Sequence, residues 1–366
     1  MSDSSAKLTT NPLVYAGCYS PRGESGKDTI FVYHLNMETG ELVLDSSVYG
    51  GENASYLAIS PDNHLMIAVN ELMTFEGQTG GGVAALAIDP LAGRLTLLNQ
   101  QKTHGGLPCY ASIDASQRVA IVSNYVGGNV ALFPIHEDGT LGQAADIVQH
   151  TGSSVHPDRQ KTPYAHSVII DPTNRFAIVS DLGIDKVMVY KIDFENLKLV
   201  FHSHVVVQSG AGPRHFAFHP NGRWAYVIHE LDSYITAFSF DADAGSLSII
   251  QTVPTMPSDF EGSNTSADIH VSPSGRFVYG SNRGHDSIAV FSVDDTNGQL
   301  TFVERHSSGG QVPRNFVIDS TGEFLLAANQ ETGNIVSFRL DQHTGKMTET
   351  GHSVTVFKPV CLKFWN

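Results

Sequence analysis

AHSVIIDPTNRFAIVSDL, residues Ala165 to Leu182, is a short apolar run, a D-P-x-N turn, a second apolar run and a closing polar residue. Two β-rich runs about a tight turn make an antiparallel hairpin. The same eighteen-residue template recurs as ASYLAISPDNHLMIAVNE from Ala54, PCYASIDASQRVAIVSNY from Pro108 and PRHFAFHPNGRWAYVIHE from Pro213. It returns as SADIHVSPSGRFVYGSNR from Ser266 and PRNFVIDSTGEFLLAANQ from Pro313. Successive starts lie 54, 57, 48, 53 and 47 residues apart, so the chain is an array of units about fifty residues long. Neighbouring units of such an array share their buried faces, which argues for one repetitive domain over 1–366. Residues 1–12 read as a flexible N-terminal tail.

Two further strand-like runs follow each template, for example VMVYKID and LKLVFHSHV, then YITAFSFD and LSIIQTV, then SIAVFSVD and LTFVERH. Each unit is therefore a four-stranded antiparallel sheet, and a ring of such sheets is an all-β propeller. The termini supply a seventh blade. PVCLKFWN from Pro359 reads as a first strand that then stops, while LVYAGCY, TIFVYHLN and LVLDSSVY near the start read as second, third and fourth strands lacking a first. One sheet built from both ends closes the ring without an open edge.

Composition limits the function. The 366 residues carry a formal charge of -15, which disfavours nucleic-acid backbones as partners because those need basic faces. No run of about 18 apolar residues predicts a membrane span. The N-terminal MSDSSAKLTTNP has no apolar signal-peptide core, an expectation of cytoplasmic location. Cys18, Cys109 and Cys361 are too few and too scattered for a disulfide framework or a zinc site, and read as buried thiols. No cofactor is implied.

The repeats also supply a background against which irregular residues stand out. Arginine recurs at template position 11, as Arg118, Arg175, Arg223 and Arg276, and so reads as architecture. Position 2 is irregular: Ser55, Cys109, His166, Arg214, Ala267 and Arg314, with Val360 in the split blade. Position 18 is irregular too: Glu71, Tyr125, Leu182, Glu230, Arg283 and Gln330, with Tyr19. Positions 1–3 and 17–18 of each hairpin meet at one face of the ring, together with the connections between blades. The longest of these connections begin at His150 and Thr255. His166, Arg214, Glu230, Arg283 and Arg314 should thus converge at one mouth of the channel, where guanidinium forks would hold a small anionic ligand. His285, just beyond Arg283, reaches towards the same mouth, and Glu71, Asn124 and Gln330 are further expected substrate contacts. His215 and His229 neighbour the cluster as supports. A plug of ion pairs, a propeller serving only as an interaction scaffold, or an enzyme are the alternatives these residues leave open.

The strings HSVIIDPTNRF, GPRHFAFHPNGR, NRGHDSIAVF and PRNFVID followed by FLLAANQ resemble the seven-bladed propeller lactonase family, in order and over nearly the whole chain. That family includes propeller-type 6-phosphogluconolactonases and fungal 3-carboxy-cis,cis-muconate lactonising enzymes. The resemblance implies an active site of one histidine, two arginines and one glutamate, which fall on His166, Arg214, Arg283 and Glu230. It implies metal-independent hydrolysis of 6-phospho-D-glucono-1,5-lactone, in the pentose phosphate pathway, or alternatively muconate cycloisomerisation or hydrolysis of another sugar lactone. In the hydrolytic reading Glu230 takes a proton from water, Arg214 or Arg283 stabilises the oxyanion, and His166 protonates the departing ring oxygen. An ordinary imidazole, titrating near the working pH, suits that last task.

Overall fold

The computed structural model describes residues 11–365, which form seven four-stranded antiparallel sheets and no helix. The sheet carrying the opening motif runs Ala165–Ile170, Phe176–Asp181, Lys186–Asp193, Lys198–Val206, each strand paired with the next. Five other blades have the same order. The seventh pairs Pro359–Trp365 with Leu13–Cys18, followed outward by Ile30–Leu35 and Leu42–Val48, so both ends of the chain lie in one sheet. The expected tail falls mostly outside the described residues. Its last residue, Pro12, departs from the expectation, because its carbonyl accepts the Leu35 N–H at 3.0 Å.

Burial follows from the packing of blade on blade. The second strand of each blade is covered on both faces, so LMIAVN, VAIVSN, FAIVSD, WAYVIH and FLLAAN are buried throughout. The outermost strands keep one face in water and alternate, as in Lys198–Val206. The template turns explain their composition. Position 10 takes a positive φ in all six copies (Asn63, Gln117, Asn174, Gly222, Gly275 and Gly322), a region that asparagine and glycine tolerate. In the turn after Ile170, the Asp171 carboxylate accepts the N–H groups of Thr173, Arg175 and Phe176 and ties the turn to the next strand.

The recurring arginines stay on this turn side, far from the mouth. Arg118, Arg175, Arg223 and Arg276 lie 5.5, 5.6, 4.9 and 5.6 Å from aromatic ring centres. Arg118, Arg175 and Arg276 also donate to backbone carbonyls of outer hairpins.

One irregularity of the inner strands builds the site. Pairing between first and second strands slips at the same place in every template, between Pro213 and His215 or Ala165 and Ser167, for instance. The split blade repeats it, with Cys361 opposite Gly17 and Pro359 opposite Cys18. Position 2 is therefore the extra residue of a β-bulge in six blades, and in the blade from Ser266 the slip takes in both Ala267 and Asp268. Bulges re-aim side chains. An element that the repeats do not contain is a small hairpin, Thr74–Phe75 with Gln78–Thr79, which follows Glu71.

Candidate active site

Bulge residues and the position-18 residues beside them supply most charges of the mouth. Glu230, just past Trp224–His229, is the centre: its Oε2 receives Arg214 Nε at 2.9 Å and Arg283 Nη2 at 3.0 Å, with His166 Nε2 at 3.9 Å. Its other oxygen, Oε1, receives Arg159 Nη2 at 2.5 Å. Four residues singled out from the repeats thus stand together, and Arg159 joins them.

Arg214 is held from behind. Its Nη1 donates to Ala267 O at 2.6 Å and to His215 Nε2 at 3.1 Å. His215 Nδ1 lies 2.6 Å from Asp268 Oδ1, and Asp268 Oδ2 takes His270 Nε2 at 2.9 Å and the Asn315 amide. An ionised carboxylate only accepts, so the His215 proton sits on Nδ1 and the Nε2 lone pair faces Arg214. Arg283 is fixed by Thr265 O at 3.4 Å and Ser266 O at 3.0 Å. Among the described residues these contacts leave Arg214 Nη2 and Arg283 Nη1 as the N–H groups still to be engaged.

Across the opening, Arg314 Nη2 stands 3.6 Å from Glu71 Oε2, which also accepts the Tyr19 hydroxyl at 2.9 Å. The mouth gathers four guanidinium groups around two carboxylates, an excess of positive charge in a chain of net charge -15. Focusing of this kind draws small anions.

Protonation follows from burial and neighbours. Burial alone would raise the Glu230 carboxyl, but the guanidinium charges of Arg283, Arg214 and Arg159 hold it well below the ordinary range, so it is ionised. Burial, reinforced by Arg214 and His215, pushes His166 well below the ordinary histidine value, against the pull of Glu230. This corrects the sequence expectation of a histidine titrating near neutrality. The imidazole is neutral at pH 7 because a cation beside a second cation in a dry site is costly. Burial and Arg214 likewise lower His215 to about 3. Burial lowers Arg283 to about 10, which still leaves it charged.

Other expected contacts fall elsewhere. Asn124 is a correction: its side chain is buried and its amide donates to Thr103 O at 3.0 Å and Asn129 Oδ1 at 2.7 Å, bracing the connection between blades. Asn70 and Asn329 do the same for Gly50 O and Ser308 O, so position 17 is architecture. His229, also at position 17, bonds Asp232 and Thr236 and does not enter the cluster. His285 packs its ring against Phe260, 5.0 Å away, and pairs with Ser287 Oγ. The Gln330 amide donates to Glu331. Both stay at the rim, and no contact among the described residues joins them to Glu230.

Sequence reasoning missed Arg159, because it belongs to no template. It lies in the long connection from His150. The residues of position 3, namely Tyr56, Tyr110, Ser167, His215, Asp268, Asn315 and Cys361, were legible by the same irregularity test as position 2. Several of them form the layer beneath the cluster, where Tyr56 and Tyr110 stack 3.8 Å apart with His215 edge-on to both.

The arrangement combines an ionised carboxylate, a neutral imidazole, two guanidinium groups fixed by backbone carbonyls, and two less committed ones. Such a set binds an oxyanion and moves a proton over a short path. Residues 13–364 match the family model described as lactonase, 7-bladed beta-propeller. The 6-phosphogluconolactonase of Bacillus subtilis (strain 168) is 39% identical over 357 residues, 97% of this chain and 99% of the relative. That of Formosa agariphila is 36% identical over 89% of this chain and 92% of its own. Among solved structures, the periplasmic gluconolactonase of Pseudomonas aeruginosa superposes with a TM-score of 0.89 at 33% identity, covering 97% of this chain and 99% of that one.

Proposed function

The chain belongs to the seven-bladed β-propeller lactonase family, and from that membership we propose that it hydrolyses 6-phospho-D-glucono-1,5-lactone to 6-phospho-D-gluconate. The observation that carries the reading is a single ionised Glu230 ringed by Arg159, Arg214, Arg283 and the neutral His166. The names of two relatives, in Bacillus and Formosa, support the phosphorylated substrate. A phosphorylated sugar is a metabolite that cells retain, so we place the activity in the cytoplasm. Among the described residues no helix is long and apolar enough to cross a membrane.

His166 Nε2 and Glu230 Oε2 stand 3.9 Å apart, so one water placed beside both would be within hydrogen-bond reach of each. In our mechanism that water attacks the lactone carbonyl carbon and gives its proton to the neutral imidazole. Glu230 stabilises the imidazolium that forms, as a carboxylate does beside any catalytic histidine. The remaining N–H groups of Arg214 and Arg283 receive the oxyanion. The tetrahedral intermediate then collapses, the bond from the carbonyl carbon to the ring oxygen breaks, and His166 returns its proton to that oxygen. The neutral form of His166 in the resting site makes it base first and acid second, which revises the purely acid role expected from sequence. Arg314, beside Glu71, adds to the field that admits an anionic substrate.

The test is product detection with the phosphorylated lactone, with spontaneous ring opening subtracted. His166→Ala removes the proton carrier and Glu230→Gln the charge that stabilises it, so each should lower kcat on the order of a hundredfold. Variants that both keep wild-type rates would dismiss this assignment while leaving the fold untouched.

A further inference from the structure

Resting on the lactonase reading, we infer that Arg159 recognises the phosphoryl group of the substrate, so that the connection 150–164 sets the preference for phosphorylated over unphosphorylated lactones. The four guanidinium groups of the mouth are not equivalent. Arg214, Arg283 and Arg314 come from strands or their ends, and their side chains are 2, 12 and 19% exposed. Arg159 comes from a connection and is 37% exposed, at the lip rather than in the shaft. Arg214 and Arg283 are largely engaged with Glu230 and backbone carbonyls. Arg159 uses only Nη2, which donates to Tyr125 OH at 2.9 Å and to Glu230 Oε1. Its Nε–H and both Nη1–H groups bond nothing else among the described residues.

The chemistry of the substrate matches that placement. The phosphoryl group sits at the far end of the sugar from the lactone carbonyl, carries roughly -1.5 to -2 charges and accepts several charge-assisted bonds. A carbonyl held between His166 and Glu230 leaves the other end of the molecule pointing towards the lip. A guanidinium anchored at Glu230, with open donors on a side chain 37% exposed, is the group positioned to meet it.

The connection that presents Arg159 is built, not loose. Asp185 is 2% exposed and accepts from Ser154 Oγ at 2.5 Å and Gln160 Nε2 at 2.7 Å, and also from the N–H groups of Gly210 and Gly212 at 2.7 Å each. One carboxylate therefore ties the Arg159 connection to the segment leading into Arg214. Asp181 pins both ends, through His150 Nδ1 at 2.6 Å and Tyr164 N–H at 2.8 Å. A donor held in place before the ligand arrives loses little freedom on binding.

The experiment compares kcat/KM for 6-phospho-D-glucono-1,5-lactone and D-glucono-1,5-lactone in the full chain, for wild type, Arg159→Gln and Arg159→Lys. Losing two charge-assisted bonds should cut the ratio of the two values on the order of a hundredfold in the glutamine variant, mostly through KM, with lysine restoring part of it. Melting curves check that both variants fold. An equal loss on both lactones would overturn the inference and assign Arg159 to the reaction itself, and no loss on either would show it idle. Should wild type open neither lactone faster than water does, the lactonase reading fails, a result distinct from an unchanged ratio.

Discussion

At the scale of the residue, the site depends on keeping charge on some groups and off others. Arg214 carries a full charge in a position 2% exposed because Glu230 faces its Nε and the neutral His215 accepts from its Nη1. Had His215 been protonated, it would have donated into a guanidinium. Its neutrality has a measurable consequence. In the folded chain His215 is lowered to about 3, and His166 also lies well below its ordinary value, whereas in the unfolded chain both titrate near about 6.5. Between those values the unfolded state holds protons that the folded state does not. Stability is therefore intact above about pH 6.5 and falls as the pH drops, by roughly 1.4 kcal/mol per unit for each such histidine. Denaturant unfolding measured from pH 6.5 to 4.5 should show this slope, reduced in His215→Gln relative to wild type. A stability that stays flat through that window would contradict the neutral buried pair.

At the scale of the element, two devices repeat and one does not. The bulge at position 2 and the bracing side chain at position 17 occur blade after blade, the first aiming a residue at the channel and the second fastening the next connection. The connection 150–164 is particular to one blade boundary. It lies against Gly183 so closely that a Cβ there would stand 2.0 Å from Thr162 O and 2.7 Å from Tyr164 N. Backbone cannot yield to a methyl group as a flexible side chain can. Gly183→Ala should push this connection outward, withdraw Arg159 from Glu230, and raise KM for the phosphorylated lactone about tenfold or more, with the remaining blades intact. Limited proteolysis offers a second reading, since a displaced connection should be cut faster within 150–164. Unchanged KM and unchanged cleavage would show that the contact is not what seats the connection.

At the scale of the whole molecule, closure of the ring decides everything else. Pro359–Trp365 supplies the inner strand of the blade whose other three strands begin the chain, and Val360, Cys361 and Leu362 are each 3% exposed or less. Each such side chain contributes on the order of 1.5–3 kcal/mol by burial, and the pairing with Leu13–Cys18 leaves no edge at the seam. Removing residues 359–366 should take away this strand, expose the adjoining blade faces and sharply lower the yield of soluble, folded protein. Size-exclusion chromatography and soluble yield measure the outcome, and a truncated chain with wild-type elution and wild-type unfolding would refute a closure role. The ring matters to chemistry because Glu230, His166, Arg214 and Arg283 come from three consecutive blades and meet only while those blades keep their angle around the axis.

The amino-acid sequence alone settled seven four-stranded blades and the split blade at the seam, from the templates and the strand-like runs between them, and the meeting of His166, Arg214, Glu230 and Arg283, from the residues that interrupt the repeat. It could do so because strand positions repeat, and a charge that interrupts a repeat is visible in one dimension. Tertiary structure alone decided that Arg159 completes the cluster, since the path of a connection has no period to read and its bonds to Asp181 and Asp185 span unrelated stretches of chain. It also decided that Asn124 is a brace and that His166 is neutral. Both depend on what surrounds a side chain in space: a carbonyl within reach in the first case, and lost hydration beside a guanidinium in the second.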